Sequence, residues 1–549
     1  MKLESFRGVL LLVLFLALAS AACTLGDDDG IPSNAEIVEV TANTSLGPWL
    51  TPAVQLYNDA QNESVDGDPI YVQLSLSDSG QAVGDISNGG IAPTIWIPEA
   101  EVWTDVLADQ GNRDYQQHCE NIASSPLVIA MWRPVAESLG WPGLPLGWLD
   151  IGSLAADPSA WSYYSGGEYG DSLRLGHTHP GLSGSGTSTL LAIVQAAQSK
   201  TDSVTAEDIQ QPIVQASVSA FETAVSTFST STGDLGKTMA ERGVQYLGAG
   251  VMYESDVLAN GNGNLVPIYP LEGTFVASHP ACINAQSDGT VRDAAQNFRD
   301  YLLSEQAQQL AVSYGLRPVN RNVQIGAPLD ESYGVDLSQP EIVFSSPTVD
   351  SIYAAQELWQ SARKDVNLVM LLDVSGSMSG SKIDNMRDAA VQFVEQMGDD
   401  DLITIIAFSH ELELLAHHQQ VGPARAKIID AIENLEAEGD TSLYDAIGEG
   451  ALIIDETTSP NFTNALVVLT DGVDTYSFRY PFNQTLIDLA KANDTTVFSI
   501  AYGADADEDV LSRLALGANG NFFQGDEANI VAIYDEMSAA FGGAVGVGR

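Results

Sequence analysis

Short apolar runs alternate with helical patterns along the last third of the chain. Residues 366–372, 402–408, 465–469 and 497–502 are apolar and rich in β-branched side chains. A run that is apolar at every position predicts a strand buried on both faces. Residues 382–397, 424–435, 443–454, 486–492, 507–516 and 530–541 carry helical spacing. Strands alternating with helices predict a mostly parallel sheet covered on both sides. Ligands of such sheets bind outside the carboxyl ends of the strands.

A less regular alternation fills residues 35–347. Strand 37–41 precedes a helix through 54–60. Strand 70–76 leads into the turn Ser77-Asp78-Ser79-Gly80-Gln81, and strand 94–97 ends at Pro98-Glu99. Further on come strand 126–131, then 173–177 with the loop Thr178-His179-Pro180-Gly181-Leu182-Ser183-Gly184-Ser185-Gly186-Thr187-Ser188, then a helix through 190–198. Residues 245–252 lead to Tyr253-Glu254-Ser255. Return strands are expected at 271–277 and 281–284, and a helix at 292–313. Polar turns thus follow successive strands and open helices, whose free N–H groups favour anions and polar ligand groups. Residues 348–363 join the two regions. Leu358 and Trp359, at helical spacing, predict a helix that packs the regions together.

Three pieces of the C-terminal region carry candidate chemistry. Asp373-Val374-Ser375-Gly376-Ser377-Met378 follows its first strand and sets a carboxylate and two hydroxyls on one tight loop. Those groups form half of a cage for a hard divalent cation. Thr441 follows Gly439-Asp440, and Asp471 ends a later strand. Any one of these residues alone reads as a helix cap or turn; three ordered pieces at strand ends favour the metal. Residues 364–541 resemble the von Willebrand factor type A domain, and the quoted residues resemble its metal-ion-dependent adhesion site. The resemblance implies a Rossmann-like, mostly parallel fold. It implies that Ser375, Ser377 and Thr441 offer hydroxyls to Mg2+, with Ca2+ or Mn2+ as alternatives. Asp373 and Asp471 would contact the ion directly or through water. One position would stay open for an Asp or Glu of a protein partner. Two carboxylates leave a divalent cation without surplus protein charge, which suits an acidic ligand. Asp440 departs from the pattern, since Gly is common before the Thr.

The order of elements in residues 35–347 resembles the extracellular solute-binding proteins of ABC transporters. Residues 35–124 with 273–347 would form one lobe and residues 125–272 the other. The resemblance implies an α/β, two-lobed, periplasmic-binding-protein-like module whose cleft closes by hinge motion on a small polar or anionic solute. Candidate contacts are Ser45, Ser79, Trp96 and Glu99 from the first lobe. Ser183, Ser185, Gly186, Tyr253 and Glu254 would come from the second. Cleft closure would then alter how the adhesion site is presented.

Charge and chain ends set the surroundings. The chain has 549 residues and a net charge of -51. Such a surface repels phosphate backbones and excludes nucleic acid as a partner. Lys2 and Arg7 precede an apolar run at 9–18 that is too short to span a membrane. Ser20-Ala21-Ala22-Cys23 resembles a bacterial lipobox. That implies a signal peptide at 1–22, lipid on Cys23, a tether at 23–34, and an extracytoplasmic protein held at the cell membrane, on the cell surface or in the periplasm. Cys119 and Cys282 either pair in an oxidising compartment or remain buried thiols. Residues 542–549 read as a tail. Gly181-x4-Gly186-Thr187-Ser188 has Thr where a phosphate-binding loop needs Lys. His177-x-His179 lacks further zinc ligands nearby. No partnered nucleophile or base stands out, so catalysis is not expected. The alternatives are a transporter's solute receptor with an accessory adhesion domain, and a metal-dependent hydrolase.

Overall fold

A computed structural model describes residues 31–547, apart from 33, 171, 460, 544 and 545. The expected signal peptide, Cys23 and most of the tether lie outside the described residues. Among the described residues, no helix is long and apolar enough to cross a membrane.

The first sheet has the strand order Ile70–Leu76, Glu36–Ala42, Ile95–Ile97, Pro280–Ile283, Cys119–Asn121. The first three are parallel; the last two join antiparallel. The second sheet is built on the long strand Ala123–Trp132, which pairs with Ala249–Tyr253, Leu265–Ile268, Val276–Ala277 and Arg317–Pro318. Leu175–Thr178 and Val225–Ser229 extend it. The chain crosses between the sheets after Asn121, returns after Ala277, and meets the second sheet once more at Arg317–Pro318. Cys119 and Cys282 face each other across neighbouring strands beside the crossings and form a disulfide.

The expected helix at 292–313 is two helices, Gly289–Leu302 and Glu305–Ser313. Ser304 breaks it by accepting a hydrogen bond from Ala307 N as the cap of the second. Lobe two holds further helices that apolar spacing alone did not reveal, among them Pro212–Glu222 and Thr232–Arg242.

The C-terminal domain has the strand order Leu412–Gln420, Leu402–Phe408, Asp365–Asp373, Phe462–Thr470, Thr496–Tyr502, Phe522–Gly525. All pairs are parallel except the first. Leu368, Met370 and Leu372 pack in the core on one face, Val369 and Leu371 in the core on the other. Two covered faces explain why this strand is apolar at every position. The two edge strands were not expected. Leu412–Gln420 carries exposed Glu413 and His417, the polar residues that keep an edge from pairing further.

The joining helix is Val349–Ala362, and Thr348 caps it by accepting from Ser351 N. Trp359 is 1% exposed and its Nε1 donates to Glu222 Oε2 of lobe two at 3.1 Å. Gln356 Nε2 donates to the Pro180 carbonyl at 2.9 Å. The segment after residue 541 is not a free tail. His179 Nε2 donates to the Gly543 carbonyl at 2.9 Å, and Val547 N donates to the Gly181 carbonyl at 2.7 Å. Backbone groups make this docking, which is why a glycine-rich sequence gave no sign of it.

Candidate functional site

Asp373 is the last residue of its strand, and Asp471 directly follows the neighbouring strand. Both are fully buried. Ser375 N donates to Asp373 Oδ1 at 2.7 Å, and Thr470 Oγ1 donates to Asp373 Oδ2. The Ser375 and Ser377 hydroxyls lie 3.0 Å apart, and Ser377 Oγ donates to Asp471 Oδ1 at 2.7 Å. Gly376 N donates to the Gly439 carbonyl at 2.9 Å, which draws the Thr441 loop beside the Asp373 loop. Gly439 has φ +83°, and a Cβ there would meet His410 Nδ1 at 2.1 Å, so only Gly fits this approach. A Cβ built at Gly472 would lie 3.8 Å from Thr441 Oγ1 and 3.9 Å from Ser377 Oγ, so those hydroxyls converge on one spot. Two carboxylates and three hydroxyls thus meet at the carboxyl ends of adjacent strands. Asp440 is exposed at the rim.

This donor set is all oxygen and fits a hard divalent cation. Burial pushes the Asp373 carboxyl above the usual range, and the charge of Asp471 adds to that. A cation between them would offset the cost of the buried charge. Among the described residues no three His, Cys, Asp or Glu side chains gather into a cage, so hydroxyls must complete the site. One participant was missed: the Lys382 ammonium donates to Asp471 Oδ2. It sits in the first turn of helix Ser381–Gln396, nine residues beyond Asp373, where the sequence reads as ordinary surface charge.

In the two-lobed module, most of the expected contacts meet between the lobes, and they meet each other. Ser45 Oγ donates to Asp256 Oδ2 of lobe two at 2.8 Å. Glu99 Oε1 accepts from Asn43 Nδ2 at 2.7 Å and from Gly184 N of lobe two at 3.1 Å. Ser79 Oγ accepts from Glu99 N at 3.2 Å. Ser183 and Ser185 share hydrogen bonds of 3.0 Å and 2.7 Å with Thr232 Oγ1. Trp96 and Tyr253 are buried. Two candidates have other work. Glu254 is committed to Arg317, whose Nε lies 2.8 Å from Glu254 Oε1, and to the Tyr269 hydroxyl. Gly186 allows a close approach, since a Cβ there would lie 2.2 Å from the Thr178 carbonyl oxygen. Three residues went unnoticed as cleft members: Asp78, Thr232 and Asp256. Burial pushes Glu99 up to about 8, with Asp78 adding to it, and Asp256 up to about 7. His177 and His179 have other partners. His177 Nε2 pairs with buried Glu222 Oε1 at 3.0 Å, and burial pushes His179 down to about 3.

Comparison with known proteins agrees with this architecture. The family described as bacterial extracellular solute-binding protein matches residues 38–317, more than half of the chain. The von Willebrand factor type A domain matches residues 367–536. An uncharacterized protein of Synechocystis sp. is 31% identical over 164 residues, covering 29% of this chain and 37% of that protein. The sulfate-binding protein SubI from Mycobacterium tuberculosis is 17% identical with a TM-score of 0.41, over 58% of this chain and 96% of that one. Proximal thread matrix protein 1 of the mussel byssus, solved with a zinc-occupied MIDAS motif, is 16% identical with a TM-score of 0.27, over 31% of this chain and 46% of that one. Membership of an extracellular family implies an extracytoplasmic location. The chain belongs to the bacterial extracellular solute-binding protein family and carries a von Willebrand factor type A domain in its C-terminal part.

Proposed function

We propose that this is an extracytoplasmic binding protein, anchored to the membrane through lipid on Cys23, whose C-terminal domain binds a divalent cation and through it an acidic side chain of a protein partner. The observation that supports this is the convergence of Asp373, Ser375, Ser377, Thr441 and Asp471 at the ends of two adjacent strands. Mg2+ suits the set, with Ca2+ or Mn2+ as alternatives, because every donor is oxygen. When bound, the cation supplies a coordination position for a carboxylate from outside. The chain's part is to hold its own carboxylates in place: Thr470 and Ser375 N fix Asp373, while Ser377 fixes Asp471 and the Lys382 ammonium competes with the cation for its other oxygen. The solute-binding module serves as the scaffold that carries this domain away from the membrane.

Mn2+ titration followed by electron paramagnetic resonance tests the reading on the mature chain. Bound Mn2+ should leave the free-ion signal at one site per chain, with competition by Mg2+. Asp373→Ala and Asp471→Ala should abolish that site. Equal Mn2+ uptake by wild type and both variants would refute the assignment.

A further inference from the structure

Asp78 is 2% exposed and stands on the turn after strand Ile70–Leu76, at the carboxyl end of the first sheet. Ligands of such sheets bind in that place. Its Oδ1 accepts from Asn43 Nδ2 at 3.1 Å, from Thr44 N at 3.3 Å and from the Thr44 hydroxyl. Its Oδ2 accepts from Thr232 N and Thr232 Oγ1 of lobe two, each at 3.0 Å. Five donors from two lobes therefore converge on one carboxylate. This is the pattern by which a hinged cleft would grip a bound oxyanion, with both lobes donating to one group.

The surroundings agree. Gly233 N donates to Thr44 Oγ1 at 3.2 Å, and Gln81 N donates to the Leu182 carbonyl at 2.9 Å, so backbone meets backbone across the lobes. A Cβ at Gly80 would lie 2.4 Å from the Gly181 carbonyl oxygen, so the contact tolerates no side chain. Glu99, 2% exposed, has Oε2 without a hydrogen-bond partner beside this cradle.

We propose that the cleft is an oxyanion cradle that carries its own anion: the Asp78 carboxylate takes a solute's place and clasps the lobes shut. The native chain then takes up no small oxyanion. Shortening Asp78 converts the module into a receptor for one, with a simple carboxylate fitting best because it replaces the group removed.

The test uses the full mature chain and its Asp78→Ala variant, with sodium formate as probe and sodium chloride at equal ionic strength as control. Melting temperature and small-angle scattering are read together. Wild type should respond to neither salt. The variant should melt lower and scatter as a more open particle, and formate alone should restore both properties saturably. A variant that stays closed without responding to formate would overturn the proposal, as would a wild type that responds as the variant does. Should Asp78→Ala fail to fold, Thr232→Val removes one donor and leaves Asp78 in place. Faster amide hydrogen exchange at residues 44–46 and 232–236 is then expected, and unchanged exchange would overturn the clasp.

Discussion

Replacing Trp359 with Ala should uncouple the two modules. The side chain is 1% exposed, and its ring lies 4.6 Å from the His179 ring and 5.0 Å from the Phe228 ring, centre to centre. Removing a buried Trp costs about 3–5 kcal/mol through lost burial and the cavity left behind. The lost Nε1–H also leaves buried Glu222 one donor short, worth about 1–3 kcal/mol more. The sum is comparable to the whole stability of an ordinary domain, about 5–15 kcal/mol. It falls unevenly. Trp359 belongs to a core shared by both lobes of the solute-binding module, whereas the two cores of the C-terminal domain are made without it. Calorimetry should therefore show one endotherm for wild type and two for Trp359→Ala, the lower one belonging to the solute-binding module. Trp359→Phe keeps a ring and loses only the hydrogen bond, so its shift should be the smaller. One unshifted endotherm for Trp359→Ala would refute the view that this helix ties the modules into one cooperative body.

Other consequences are as direct. Lys382→Met should raise Mn2+ affinity about fivefold, the equivalent of freeing Asp471 from an ion pair worth ~1 kcal/mol; a fall on titration would mean that Lys382 positions the carboxylate instead. Arg363→Met leaves Asp401 buried without its guanidinium, each partner being 3% exposed, and should cost about 3–5 kcal/mol by urea unfolding. Stability should also vary with pH. Glu99, raised to about 8, keeps its proton in the folded state after the unfolded chain has lost it, so stability falls as pH rises towards 8 and Glu99→Gln should flatten that fall in melting curves. Burial pushes His179 and His279 down to about 3, so below their ordinary range only the unfolded chain takes up those protons, and stability is lost on that side as pH drops.

The C-terminal domain was largely legible because its central strands are buried on both faces. The strand expected at 402–408 is Leu402–Phe408 in the structure, and the five candidate residues lie near one another at the strand ends. What stayed hidden depends on distant contacts or on backbone. Asp78 sat in plain view between two serines, where a carboxylate reads as a turn or cap; its meaning comes from Thr232, 154 residues away. Lys382 looked like surface charge on a helix. The short strand Phe522–Gly525 carries too few apolar residues to announce itself. The segment after residue 541 docks through amide and carbonyl groups that every sequence possesses.

The loop at residues 177–187 bears on whether the modules could communicate. One side of it forms the cleft, through Gly184 N on Glu99 and the Ser183–Thr232 bond. The other side receives the segment that follows the C-terminal domain, through His179 on Gly543 and Gly181 on Val547. Transmission between sites needs an element with two stable arrangements. This loop is instead stapled internally, with Thr187 Oγ1 donating to the Pro180 carbonyl at 2.7 Å and Gly186 in backbone contact with Thr178. A transport receptor must open to release its cargo. Here the group bridging the lobes is a side chain of the protein, and opening the cleft would release nothing. The same packing gives the loops of Asp373 and Thr441 a fixed platform, with their face set by the scaffold.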